Sequence, residues 1–151
     1  MSRVNPIDNK KRFPMLNPSR HQVLIVEGDA AVRNTLALLL KASGYEVSTA
    51  ANGAEALALL QMGTPAILLS DLNMPEMSGF ELLALARRQF PELSLVAMSD
   101  EYETSEAIPT GAVADAFYAK GRGNLKGLLR ILSEMTSAPA AEPRQANPLI
   151  N

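Results

Sequence analysis

Cysteine and tryptophan are absent from this 151-residue chain, and histidine occurs once, at His21. Without cysteine there are no disulfides, no thiolate metal sites and no cysteine nucleophile, a composition compatible with the reducing cytoplasm. Long apolar runs are missing as well. Leu36-Ala37-Leu38-Leu39-Leu40 falls far short of the roughly 20 residues that cross a bilayer. The basic stretch Lys10-Lys11-Arg12 leads into Phe13-Pro14-Met15-Leu16-Asn17-Pro18 and not into an apolar signal core. Neither sign of charge dominates, since a formal net charge of -2 gives no general pull toward nucleic acid. The expectation is a soluble, cytoplasmic protein that touches neither membrane nor nucleic acid directly.

What remains suits a folded domain: 47% of residues are hydrophobic and 20% charged, ordinary for a globular chain and enough for one real core. Prolines punctuate the two ends. Residues 1–20 carry Pro6, Pro14 and Pro18 without periodicity, and residues 137–151 carry Pro139, Pro143 and Pro148 among alanines and polar residues. Both read as disordered, a leader and a tail around a single domain over residues 21–136. The leader is basic, with Arg3, Lys10, Lys11, Arg12 and Arg20 against Asp8, and reads as a solvated arm.

Between the ends, strand and helix patterns alternate. Val23-Leu24-Ile25-Val26 suits a central strand, and Val32, Leu36, Leu39 and Leu40 recur at helical spacing until Ser43-Gly44 supplies a stop. Tyr45 to Thr49 reads as a strand with one face less buried, and a helix starts at Asn52-Gly53. Ile67-Leu68-Leu69-Ser70 reads as a buried strand between Gly63-Thr64-Pro65 and Pro75. Ser78-Gly79-Phe80-Glu81 has the form of a capping box ahead of a helix that Pro91 ends. Leu93 to Met98 is a fourth strand, Ala116 to Ala119 a fifth, and Leu125, Leu128, Leu129, Leu132 and Met135 trace a last amphipathic helix. The crossover helix expected between Glu101 and Gly111 is short or irregular, because Pro109 cannot occupy a helix interior. Five strands with intervening helices imply a doubly wound parallel α/β sheet with helices on both faces.

In such sheets ligands bind beyond the carboxyl ends of the strands. Asp71 stands where the third strand surfaces, and taken alone it is either a turn former or a reactive acid. Its neighbours at the same edge are Glu27-Gly28-Asp29, Ser99-Asp100 and Lys120. Acids, a hydroxyl and a lysine together suit a carboxylate nucleophile, a divalent cation and donors to an incoming phosphoryl group. A nucleotide- or flavin-binding protein on the same topology is disfavoured by the lack of a G-x-G-x-x-G turn. A hydrolase built on His21 is disfavoured because that residue precedes the first strand.

From about Gln22 to Met135 the chain resembles the receiver domain of response regulators in two-component signalling. Asp71, Met74, Pro75, Met77 and Gly79 reproduce that family's D-x-x-M-P-x-M-x-G loop, while Ser99 and Lys120 match its hydroxyl after strand four and its lysine after strand five. The resemblance implies a flavodoxin-like strand order 2-1-3-4-5. It also implies a non-enzymatic phosphorelay module in which Asp71 accepts a phosphoryl group from a histidine kinase or phosphotransfer protein and signals to a downstream protein. Mg²⁺ would be held by Asp71, the carbonyl of Asn73 and Glu27, with Asp29 a further candidate, and Ser99 with Phe117 would form the switch.

Three positions depart from the family pattern. Gly28 replaces the second acid after strand one, a direct metal ligand, so weakened Mg²⁺ affinity is expected; as a plain turn residue, Gly28 would serve a positive φ. Gly121 replaces the proline after the lysine, and Phe117 stands where a tyrosine often does. Gly28 and Gly121, with Pro109, raise the alternative of a pseudo-receiver, an interaction module that works without phosphorylation.

Overall fold

Strand and helix alternate as the apolar pattern requires in the computed structural model, which describes residues 21–101, 107–120 and 125–137. The expected leader, residues 1–20, and residues 138–151 of the expected tail lie outside the described residues. So do 102–106, which hold part of the expected crossover helix, and 121–124, which include Gly121. The strands are β1 (Gln22–Val26), β2 (Glu46–Ala50), β3 (Ile67–Asp71), β4 (Ser94–Ser99) and β5 (Ala116–Ala119). The helices are α1 (Ala30–Ala42), α2 (Gly53–Met62), α3 (Gly79–Gln89) and α4 (Leu125–Ser137). The last helix runs one residue beyond the expected domain end.

All neighbouring strands pair in parallel, in the order β2-β1-β3-β4-β5. The central strands β1, β3 and β4 are buried along their whole length, whereas β2 at the edge keeps Glu46 and Thr49 exposed. Alternation of side chains across each strand builds two cores. Val23, Ile25, Leu69 and Met98 point into the layer of α1 and α4, where they meet Leu40, Leu128 and Leu132. Leu24, Leu68, Leu95 and Phe117 point the other way, toward Leu60 of α2 and Leu82 and Leu83 of α3. Each fully buried aliphatic side chain contributes roughly 1.5–3 kcal/mol, so the continuous apolar runs dictate a sheet covered on both faces.

Local chemistry sets the helix ends. Asp29 accepts a hydrogen bond from the Val32 amide at the start of α1, and Asn52 accepts one from Glu55 at the start of α2. The capping box of α3 is complete: Glu81 N–H donates to Ser78 Oγ and Ser78 N–H donates to Glu81 Oε1, each at 3.2 Å. After α1, Gly44 takes φ of +100°, a conformation that glycine adopts at no steric cost.

Among the described residues no helix lies between β4 and β5; residues 107–115 form a turn and bends without regular secondary structure. Asp115 secures the entry to β5, accepting from Arg87 Nη2 at 2.9 Å and from the Leu95 amide at 2.8 Å. Among the described residues, no helix is long and apolar enough to cross a membrane.

Candidate functional site

Register brings the expected residues to one edge. Val26 pairs with Ser70, so Glu27, the next residue, stands level with Asp71, and Asp71 pairs with Met98, one residue before Ser99. Ser99 pairs with Ala119, which places Lys120 just beyond the edge. Both Asp71 and Ser99 close their strands and do not follow them.

The Lys120 ammonium lies between two carboxylates, 2.7 Å from Glu27 Oε1 and 3.4 Å from Asp71 Oδ1. Glu27, Asp71 and Ser99 are buried at 3%, 6% and 0% exposure, so little solvent weakens these interactions. Burial pushes the Asp71 carboxyl above its ordinary value and the Glu27 charge adds to the rise; Lys120 and the backbone amide of Asn73 oppose it. For Lys120, burial favours the neutral amine, yet the bond to Glu27 and the charges of Asp71 and Glu27 outweigh it and raise its pKa. Lys120 therefore stays a cation at neutral pH.

A cleft of about 500 Å³ opens over the two carboxylates and the ammonium, lined among others by Glu27, Gly28, Asp29, Asp71, Asn73 and Lys120. The loop from Asp71 to Gly79 forms one wall and closes back on the strand, since the Gly79 amide donates to the Leu72 carbonyl at 3.0 Å. A Cβ at Gly79 would stand 1.9 Å from the Asp71 carbonyl oxygen and 2.6 Å from Leu72 Cα. Only glycine permits that approach. Glu76, at the tip of the loop, has φ of +67°, which is rare for a residue with a side chain.

Mg²⁺ requires an octahedral shell of oxygens. Asp71 and the Asn73 carbonyl fit that need. Glu27 is less available than expected, because Oε1 takes the Lys120 ammonium and Oε2 accepts the Asp29 amide at 3.1 Å. One Asp29 oxygen caps α1. Gly28 supplies no side chain, and it does not take the positive φ that a turn glycine would explain. Its replacement of an acid is thus not enforced by backbone geometry. Among the described residues, no three His, Cys, Asp or Glu side chains cluster as a metal cage.

Two participants went unread in the sequence. The Asn73 side chain donates to Ser99 Oγ at 3.2 Å, and Arg33 Nη1 donates to the Glu27 carbonyl at 2.8 Å, tying α1 to the strand end. An arginine six residues after Glu27 was the only sequence signal for the second. Phe117 is buried in the core under α2 and α3.

The chain is 35% identical over 92 residues to the transcriptional regulatory protein AfsQ1 of Streptomyces coelicolor, covering 60% of this chain but only 41% of AfsQ1. The chemotaxis response regulator CheY4 of Vibrio cholerae superposes with a TM-score of 0.68 at 31% identity, over 79% of this chain and 99% of that one. Response regulator TrrA of Thermotoga maritima, in complex with Mg²⁺-BeF, also superposes at 0.68, with 25% identity over 76% of this chain and 97% of that one. The family model for the response regulator receiver domain matches residues 23–119. With the five-stranded parallel order and the acid, hydroxyl and lysine at its carboxyl edge, this match shows that the chain belongs to the response regulator receiver domain family.

Proposed function

We propose that this chain is a phosphorelay receiver whose Asp71 takes a phosphoryl group from a histidine kinase or phosphotransfer protein and passes the signal on by protein contact. Receiver domains accept phosphoryl groups in two-component signalling, interact with histidine kinases or phosphotransfer proteins, bind Mg²⁺ and are generally not enzymes. The observation that carries the finer reading is the Lys120 ammonium held within 3.4 Å of the Asp71 carboxylate at the end of β3.

The transfer follows from these groups. An Asp71 carboxylate oxygen attacks phosphorus, and the P–N bond to the donor histidine breaks. The imidazole nitrogen keeps the electron pair, and the ring, protonated on its other nitrogen, leaves neutral. Lys120 stands ready to meet the anionic oxygens of the transferred group, and the Ser99 hydroxyl to donate to another. Asp71 and the Asn73 carbonyl would hold Mg²⁺, which supplies screening of the negative charge when bound. With Gly28 in place of an acid and both Glu27 oxygens engaged, that affinity is weak. Phe117 fills the switch position by volume alone, without a hydroxyl.

The test is a phosphodonor assay with Mg²⁺, read by intact mass. A labile adduct of one phosphoryl group is expected on wild type and not on Asp71→Asn; equal behaviour of the two would sink the assignment. Gly28, together with the engagement of Glu27, favours a second reading: a pseudo-receiver that binds its partner without phosphorylation. Partner affinity that changes upon phosphorylation of Asp71 excludes it.

A further inference from the structure

We propose that the side-chain amide of Asn73 is a positioning residue for Ser99, fixing that hydroxyl as a hydrogen-bond donor toward the phosphoryl group. This inference rests on the reading of Asp71 as phosphoacceptor and adds to it a group acting through its neighbour. A serine hydroxyl has one proton to give and two lone pairs to offer. Ser99 Oγ receives the Asn73 Nδ2–H at 3.2 Å and the Glu101 backbone N–H at 3.1 Å. Both lone pairs are thereby occupied, and donation of the proton is the one bond left to the hydroxyl. Phosphoryl oxygens only accept, so this polarity suits them.

The placement has a further consequence. Asn73 belongs to the loop that follows β3, and Ser99 ends the neighbouring β4, 26 residues later. Ser99 is fully buried, where a misdirected hydroxyl is costly and a directed one is strong. The Glu101 amide alone leaves the hydroxyl one free lone pair and a choice of orientation. The Asn73 amide removes that choice and ties Ser99 to the loop that follows the acceptor. The Asn73 backbone carbonyl, which would serve the cation, is left intact by changes to its side chain, so the two roles are separable.

The experiment uses the full chain as wild type, Asn73→Ala, Ser99→Ala and the double variant, titrated with beryllium fluoride at saturating Mg²⁺. Asn73→Ala is expected to weaken binding about fivefold, as loss of one hydrogen bond implies, and to add nothing in the Ser99→Ala background. Wild-type affinity in Asn73→Ala, or the same fivefold loss without the Ser99 hydroxyl, overturns the proposal. The unliganded chain gives a second readout: NMR of the Asn73 side-chain NH₂ should show a downfield, slowly exchanging proton that is lost in Ser99→Ala. Its insensitivity to Ser99→Ala refutes the contact. If wild type itself takes up neither beryllium fluoride nor phosphoryl, the phosphoacceptor reading fails. The NH₂ signal then decides separately whether Asn73 positions Ser99.

Discussion

At Asp71 the fold holds a carboxylate where its charge is disfavoured, by burial first and then by Glu27. A folded-state pKa raised above the unfolded value means that the folded state binds more protons. Stability from this group is fully present below the unfolded pKa and is lost as pH rises through the folded one. At neutral pH the ionised Asp71 therefore destabilises the resting protein. Asp71→Asn keeps the shape and removes the charge, so without divalent ions its melting temperature should exceed that of wild type at pH 7. The difference should shrink toward zero as pH falls below the ordinary carboxylate range; a difference independent of pH contradicts the electrostatic cause. Gly79 tests the geometry of the same residue. A Cβ there meets the Asp71 carbonyl oxygen at 1.9 Å, so Gly79→Ala should cost about 2 kcal/mol or more through forced backbone displacement. Urea denaturation measures the loss, and NMR shifts around Asp71 should report the movement. The glycine was visible in the loop motif, but its reason was not, because the close approach depends on how the loop folds back onto β3.

The elements themselves were legible wherever their signals are local. Ser78 and Glu81 announced a capping box and form one, Asn52 caps the helix expected to start beside it, and unbroken apolar runs became strands buried on both faces. Contacts between elements were not legible. The Asn73–Ser99 bond and the Arg87–Asp115 ion pair join residues 26 and 28 positions apart, and each depends on strand register and helix docking that periodicity does not encode. Glu27 shows the same limit: its position was expected, whereas the engagement of its two oxygens by Lys120 and the Asp29 amide required the folded loop. The α3 cap has consequences for the site, since Gly79 opens that helix and also bonds back to Leu72 beside Asp71. Ser78→Ala should destabilise the protein by about 1 kcal/mol. Hydrogen exchange should accelerate for amides in the first turn of α3, with little change in α1 on the opposite layer. Uniform acceleration in both helices is the result that contradicts a local capping role.

For the molecule as a whole, the missing acid at Gly28 becomes a question of linkage between cation binding and global stability. Gly28 is exposed and does not take the positive φ that excludes side chains, and a Cβ there finds only the Ala51 carbonyl oxygen, at 3.8 Å. Gly28→Asp is therefore expected to fold. Without divalent ions the new carboxylate joins Glu27 and Asp71 around a single ammonium, and like-charge repulsion lowers the melting temperature. With Mg²⁺ the same carboxylate becomes a ligand, and a cation that binds only the folded state stabilises it by RT ln(1 + [L]/Kd). Each tenfold gain in affinity adds about 1.4 kcal/mol once the site is saturated. Melting curves across a Mg²⁺ series should thus cross: wild type the more stable in chelator, with a shallow response to Mg²⁺, and Gly28→Asp the more stable at millimolar Mg²⁺, with a steep one. Ca²⁺ makes a useful control, because its longer bonds and looser shell place less demand on one added carboxylate in the octahedral geometry that Mg²⁺ requires. Parallel responses of the two proteins to Mg²⁺ would show that Gly28 does not limit cation binding, and would make the hold of Lys120 on Glu27 the next contact to release.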